Sequence, residues 1–195
     1  MRRGFLKLVF DASPLIAFFR EIDGGGIPGL LANNGYHCIV PEGVRGEIIK
    51  EPAKDALLKS IQADEITVVR LEDMASMTKL QTRYTGLGRG ESEVLILTQR
   101  YEERGEPAMC IMDETPARKV ADRLGLKKVG TIGLLRMMAK EGIITVSEMD
   151  ELIRQLGDSS FRVPQRLCDS RGESELLGRW RKFGSNPGCK TKRGG

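Results

Sequence analysis

Acidic residues stand at four places where strands or helices of an alternating chain should begin or end. They are Asp11 in LVFDASPLI, Glu47 in PEGVRGEII, Glu91 and Glu93 in GRGESEVLIL, and Asp113 and Glu114 in CIMDETPAR. Asp11 and Asp113 each close an apolar run, which predicts two carboxylates at the carboxyl ends of buried strands. In an open parallel sheet, that edge is where ligands bind. Carboxylates gathered there repel one another unless a cation or a shared proton neutralises them. A set of oxygen donors alone suits a hard divalent ion, and magnesium takes one or two carboxylates while keeping several waters.

Each acid also has a plainer reading. Asp11 or Ser13 is well placed to cap the helix that follows. Glu47 reads as a solvated helix residue, and Glu91 as a first-turn partner of the helix dipole. Asp113 and Glu114 would serve the helix opened by Thr115–Pro116 in the same way. Glu91 and Glu93 lie about 200° apart around a helix, so they cannot both face one cleft squarely. Sequence leaves open which of the two does, just as it leaves open the division of labour between Asp113 and Glu114.

Other chemistries are poorly supplied. His37 is the only histidine and sits at the start of a strand, which disfavours a Ser–His–Asp site or a histidine-ligated metal. The glycines of GLGRG (Gly86–Gly90) lack the Lys-Ser/Thr ending of a phosphate loop. They read as a helix stop that permits a close approach before the next helix. Gly24–Gly26 reads as a loop at the rim of the pocket. Cys38, Cys110, Cys168 and Cys189 are far apart, with no zinc-type pair. Cys38 and Cys110, inside apolar runs, read as small buried hydrophobes. Arg118 reads as a surface residue, with a phosphate or carboxylate contact as the minority alternative. Met137 and Met138 read as core or dimer packing.

Periodicity supplies the elements that would position the acids. Strands are expected at 5–10, 36–40, 65–71, 108–113 and 128–131, each a short apolar or β-branched run. Helices are expected at 13–20, 29–33, after 41, at 54–62, 74–84, 91–104, 117–124, 134–140 and 147–156. Strand–helix repeats of this length imply right-handed crossovers and a parallel sheet covered on both faces. Spacing alone does not yield the order of the strands.

The 195-residue chain is 40% hydrophobic, enough for one core and a tail. Residues 179–195 carry six basic residues and no acid, which leaves −2 on the remainder of a chain whose net charge is +4. Aromatic residues make up 5%, too few for an interleaved base-stacking surface. No run reaches the roughly 20 apolar residues of a membrane span, and a cytoplasmic protein is expected. The expected organisation is a domain over 1–157 and a basic extension over 158–195, disordered from about 184. That tail, with Trp180 and Phe183, either attracts nucleic acid in a salt-sensitive way or is a solvated end.

Between about Lys7 and Leu156 the chain resembles the PIN-domain ribonucleases, in particular the VapC-like toxin group and its archaeal relatives. The resemblance rests on Asp11-x-Ser13 before an apolar helix, Pro41-x-x-Val44-x-x-Glu47, and Gly90-Glu91-x-Glu93. It continues in Asp113-Glu114-x-x-Ala117-Arg118 and Gly130-Thr131-x-Gly133-x-Leu135. It implies a three-layer α/β/α fold around a parallel sheet of about five strands. It also implies Mg2+- or Mn2+-dependent hydrolysis of RNA, by attack of a metal-activated water that leaves a 5′-phosphate and a 3′-hydroxyl. The implied catalytic set is Asp11, Glu47, Glu91, Glu93 and Asp113. Of these, Asp11, Glu47, Glu93 and Asp113 hold the metal, with Glu91 and Glu114 as alternates and Ser13 in support. Arg118, Arg179, Arg181 and Lys182 are the candidates for RNA contact. An antitoxin partner and a homodimer are further implications. A maturation nuclease of the same fold, or a catalytically weak RNA- or partner-binding module, is the alternative.

Overall fold

A computed structural model describes residues 6–159 of the chain. The five expected apolar runs are its five strands: β1 (Leu6–Phe10), β2 (Tyr36–Pro41), β3 (Ile66–Val69), β4 (Ala108–Ile111) and β5 (Lys128–Val129). All pairings are parallel, in the order β3-β2-β1-β4-β5, and Leu8 lies opposite both Cys38 and Met109. The helices between them are α1 (Ala12–Ile16), α2 (Ile27–Asn33), α3 (Glu42–Glu47), α4 (Ala53–Gln62), α5 (Met74–Arg83), α6 (Arg89–Glu103), α7 (Thr115–Arg123), α8 (Thr131–Lys140) and α9 (Val146–Asp158). The result is the expected three-layer α/β arrangement.

The central strands read as nearly continuous apolar runs because helices cover both faces. Leu8, Val9 and Phe10 of β1, and Cys110 and Ile111 of β4, are inaccessible to solvent. Burial of a large apolar side chain contributes about 1.5–3 kcal/mol. These residues, with Leu15, Phe18, Leu95, Leu134 and Leu135, anchor the strand ends that carry the acids. Cys38 and Cys110 are free thiols in this core, and burial pushes both up to about 12.

Several boundaries differ from expectation. The helix expected over 13–20 begins one residue earlier and ends as α-helix at Ile16, then widens into a π-helical turn over Ala17–Glu21, in which Ala17, Phe18 and Phe19 are all buried. β4 stops at Ile111, short of Asp113, and β5 stops at Val129. Thr131 therefore opens α8 instead of extending a strand, and Asp113 finds its partner there. Gly24–Gly26 leads into α2, and neighbouring Asp23 bonds Gln155 of α9.

From β1 the chain builds outward through β2 to β3, then returns to the other side of β1 for β4 and β5. The order reverses between β1 and β4. A crevice opens outside the carboxyl ends of two such strands, and ligands of doubly wound sheets bind there. Asp11 and Asp113 follow those two strands.

Candidate active site

Asp11 continues the parallel ladder past β1, its amide donating to the Ile111 carbonyl at 2.9 Å. It occupies the cap position of α1, but its carboxylate makes no capping hydrogen bond, so the plain capping reading does not hold. Only 3% of Asp11 is exposed. Burial raises its carboxyl from 3.8 to about 7, the Ala12 amide pulls the other way, and the charges of Glu91, Glu47 and Asp113 push it higher. Three acids distant in sequence thus act on one buried carboxyl.

Glu47 ends α3, and its Oε1 accepts from the Gly90 amide at 3.1 Å. That contact needs glycine: a Cβ on Gly90 would stand 2.5 Å from the carboxylate oxygen and 3.0 Å from Val44 Cγ2. The close approach expected of the GLGRG segment is therefore real, and it brings the start of α6 against α3. Glu91 follows directly. Its Oε2 accepts from the Gly88 amide at 2.7 Å, closing the first turn of α6. Burial raises its carboxyl, the Gly88 amide opposes this, and Glu114 and Glu47 add to the rise. Glu91 is both helix cap and member of the acidic group.

Glu93 is not in that group. It is 2% exposed and accepts from the Gly43 amide at 2.7 Å and from Arg89 Nε at 2.9 Å. With Arg89 it lines a different cleft, beside Glu42, Arg70, Glu72 and Met74. The two residues point different ways, as their rotation around the helix requires: the charge of Glu91 acts on Asp11, while Glu93 bonds Gly43 of α3 and Arg89.

Asp113 is held by Thr131, whose amide donates to Oδ1 at 2.9 Å and whose hydroxyl donates to Oδ2 at 2.6 Å. Burial raises the Asp113 carboxyl, the two Thr131 bonds and the Arg118 guanidinium lower it, and Glu114 raises it. Here too a glycine makes room, since a Cβ on Gly130 would meet Asp113 Oδ1 at 2.6 Å. Arg118 is half-buried, its Nη1 donates to the Met112 carbonyl at 2.9 Å, and its charge lowers the Asp113 carboxyl without a direct ion pair between them. Glu114 caps α7 by position and is exposed. Ser13 lies in the first turn of α1, partly exposed. Arg179, Arg181 and Lys182 lie outside the described residues.

Thr131 holds an acid of the candidate site, a part that sequence reasoning, which named it only within the Gly130-Thr131 motif, did not give it. Its signal is the Gly-Thr pair directly after the last short strand, where a hydroxyl at a helix start can reach back across the sheet. Replacing Thr131 by Val removes the hydroxyl donor and keeps the shape. The expected outcome is an unfolding temperature close to that of the parent, with Mn2+ affinity weakened by roughly 10-fold, the loss typical of a partner that orients a metal-binding carboxylate.

A family model described as PIN domain matches residues 7–173. The chain belongs to the PIN-domain family. PIN domains have a nuclease-type fold and are typically dependent on divalent metal. A comparison with curated proteins yields no match. Among the described residues, no three His, Cys, Asp or Glu side chains are placed to hold a metal ion together. The donor set still fits a magnesium-like ion, which needs only one or two carboxylates and fills its remaining positions with water. A buried carboxyl surrounded by three further acids is also the kind of charge imbalance that a dication relieves. This PIN domain, in its described residues, has no helix long and apolar enough to cross a membrane.

Proposed function

We propose that this PIN domain is a metal-dependent endoribonuclease that hydrolyses RNA phosphodiester bonds at the crevice between β1 and β4. The observation that carries this reading is the position of Asp11: buried at the strand-order reversal, uncapped, and under the charge of Glu47, Glu91 and Asp113. Asp11, Glu47, Glu91 and Asp113 would hold Mg2+ or Mn2+, with Glu114 at the rim. When bound, such an ion lowers the pKa of water toward neutrality and offsets the charge that builds on a phosphate under attack.

The protein's own groups have separable tasks. Thr131 fixes both oxygens of Asp113, so that carboxylate presents one orientation. The Gly90 amide holds one oxygen of Glu47. Arg118, anchored on the Met112 carbonyl beside Asp113, supplies a cation at the rim of an otherwise acidic crevice. A rigid set of this kind lowers the cost of positioning a phosphate at the moment of reaction.

The experiment is incubation of the full chain with a mixed RNA pool, with and without Mn2+, followed by mapping of the new ends. Cleavage that requires metal, is stopped by a chelator and leaves 5′-phosphates supports the reading. Absent cleavage, with RNA still bound, supports a binding module instead, and cleavage that survives the chelator contradicts the metal-dependent reading. A toxin role is a finer form of the same proposal. Growth arrest on expression, relieved by Asp11→Asn or by a small partner protein, would support it, and unaltered growth with cleavage in vitro would favour RNA maturation.

A further inference from the structure

An acidic crevice repels the polyanion it is proposed to cut, so the strand has to be held by something beside the crevice. One aromatic ring lies in a suitable place. Tyr84 directly follows α5, and the guanidinium carbons of Arg83 and Arg123 stand over its ring at 5.5 Å and 5.7 Å from the centroid. Cations from two different helices thus stand over one phenol ring, each within the roughly 6 Å at which a ring attracts a cation. Neither guanidinium has a carboxylate partner among the described residues. Both arginines are exposed, and the ring is partly exposed.

The chain ties this group to the acids from two directions. The Leu87 amide bonds the Tyr84 carbonyl at 3.1 Å, and the tight turn so formed leads straight to Gly88 and Glu91. From the other side, α7 has Glu114 at its start, acting on Glu91, and Arg123 as its last residue. Nine residues of helix span roughly 13 Å, a distance of a few nucleotides. Lys119 and Arg123, four residues apart and both exposed, share one face of that helix.

We propose that Tyr84, flanked by Arg83 and Arg123, is a stacking site for a nucleobase of single-stranded RNA, and that Lys119 and Arg123 guide its backbone along α7 toward the acidic crevice. This rests on the ribonuclease reading and adds to it a positioning site. Unpaired bases stack on aromatic rings and on guanidinium planes alike, which makes such a site tolerant of sequence. A single ring suffices for one base, so a low aromatic content does not forbid it.

The test measures anisotropy of a labelled, unstructured RNA oligonucleotide on the full chain in EDTA, where metal-dependent cleavage is silent, across a salt series. Tyr84→Leu is expected to weaken binding by about 10-fold or more with an unchanged salt slope, and Tyr84→Phe, which keeps the ring, is expected to bind like the parent. Lys119→Gln with Arg123→Gln should shrink the slope of log K against log salt by about 1.4, the value for two lost single-strand phosphate contacts. In cleavage assays with Mn2+, Tyr84→Leu should raise KM and leave kcat near the parent value. Parent-like RNA affinity in Tyr84→Leu, in a protein that still cleaves RNA, overturns the stacking site and leaves the nuclease reading standing. A parent chain that neither binds nor cleaves RNA overturns both.

Discussion

Replacing Asp11 by Asn is expected to cut RNA cleavage by roughly 10³-fold or more while making the metal-free protein more stable at pH 8. Both effects follow from one buried carboxyl. Its folded-state value is raised from 3.8 to about 7, so the native state holds this proton more tightly than the unfolded chain. Stability from that proton is fully present below about pH 4, is lost as the pH rises toward 7, and is absent above it. At pH 8 the native protein therefore carries a charged, buried Asp11 at a cost on the order of 2–4 kcal/mol. Asn removes that cost. Thermal unfolding in EDTA at pH 4 and pH 8 checks it: the variant should match the parent at the lower pH and exceed it at the higher. The same reasoning gives Mn2+ a larger stabilising effect on the parent at pH 8 than at pH 5, where the ion competes with a proton.

The second large effect is expected at Gly90. A methyl group there would stand 2.5 Å from Glu47 Oε1 and 3.0 Å from Val44 Cγ2, so α3 and α6 have to separate. Overpacking of this kind costs about 1–3 kcal/mol. The functional loss should be disproportionate, because a displacement near 1 Å of a catalytic group costs on the order of 100-fold in rate. Gly90→Ala is thus expected to remain folded, with a modestly lowered unfolding temperature, and to lose about 100-fold in kcat. Gly46→Ala, where a Cβ would meet nothing within 4 Å, is the control expected to keep full activity.

The sheet was legible because its central strands are short apolar runs that give way to acids, at Asp11 directly and at Asp113 after Met112, a pattern that double-sided burial imposes. The order of the strands was not, since nothing in the spacing of 36–40 or 108–113 says on which side of β1 each will lie. Among the acids, Asp11 and Asp113 could be placed because they follow buried strands. Choosing between Glu91 and Glu93 required knowing that Gly43 of α3 and Arg89 of α6 would enclose one of them, a tertiary fact with no local signature. Asp113 was separated from Glu114 in the same way, by Thr131 reaching across from another helix. Tyr84 escaped notice because composition counts rings and says nothing about which cations gather around a single one.

Mn2+ titration of the full chain by calorimetry, with no RNA present, is the most direct measurement of whether Asp11, Glu47 and Asp113 share one ion. Binding should be saturable in the parent, stronger at pH 8 than at pH 5, and weakened at least about 100-fold when Asp11→Asn, Glu47→Gln and Asp113→Asn are combined. Equal Mn2+ affinity in the parent and in a folded triple variant would contradict a shared metal site at the crevice between β1 and β4.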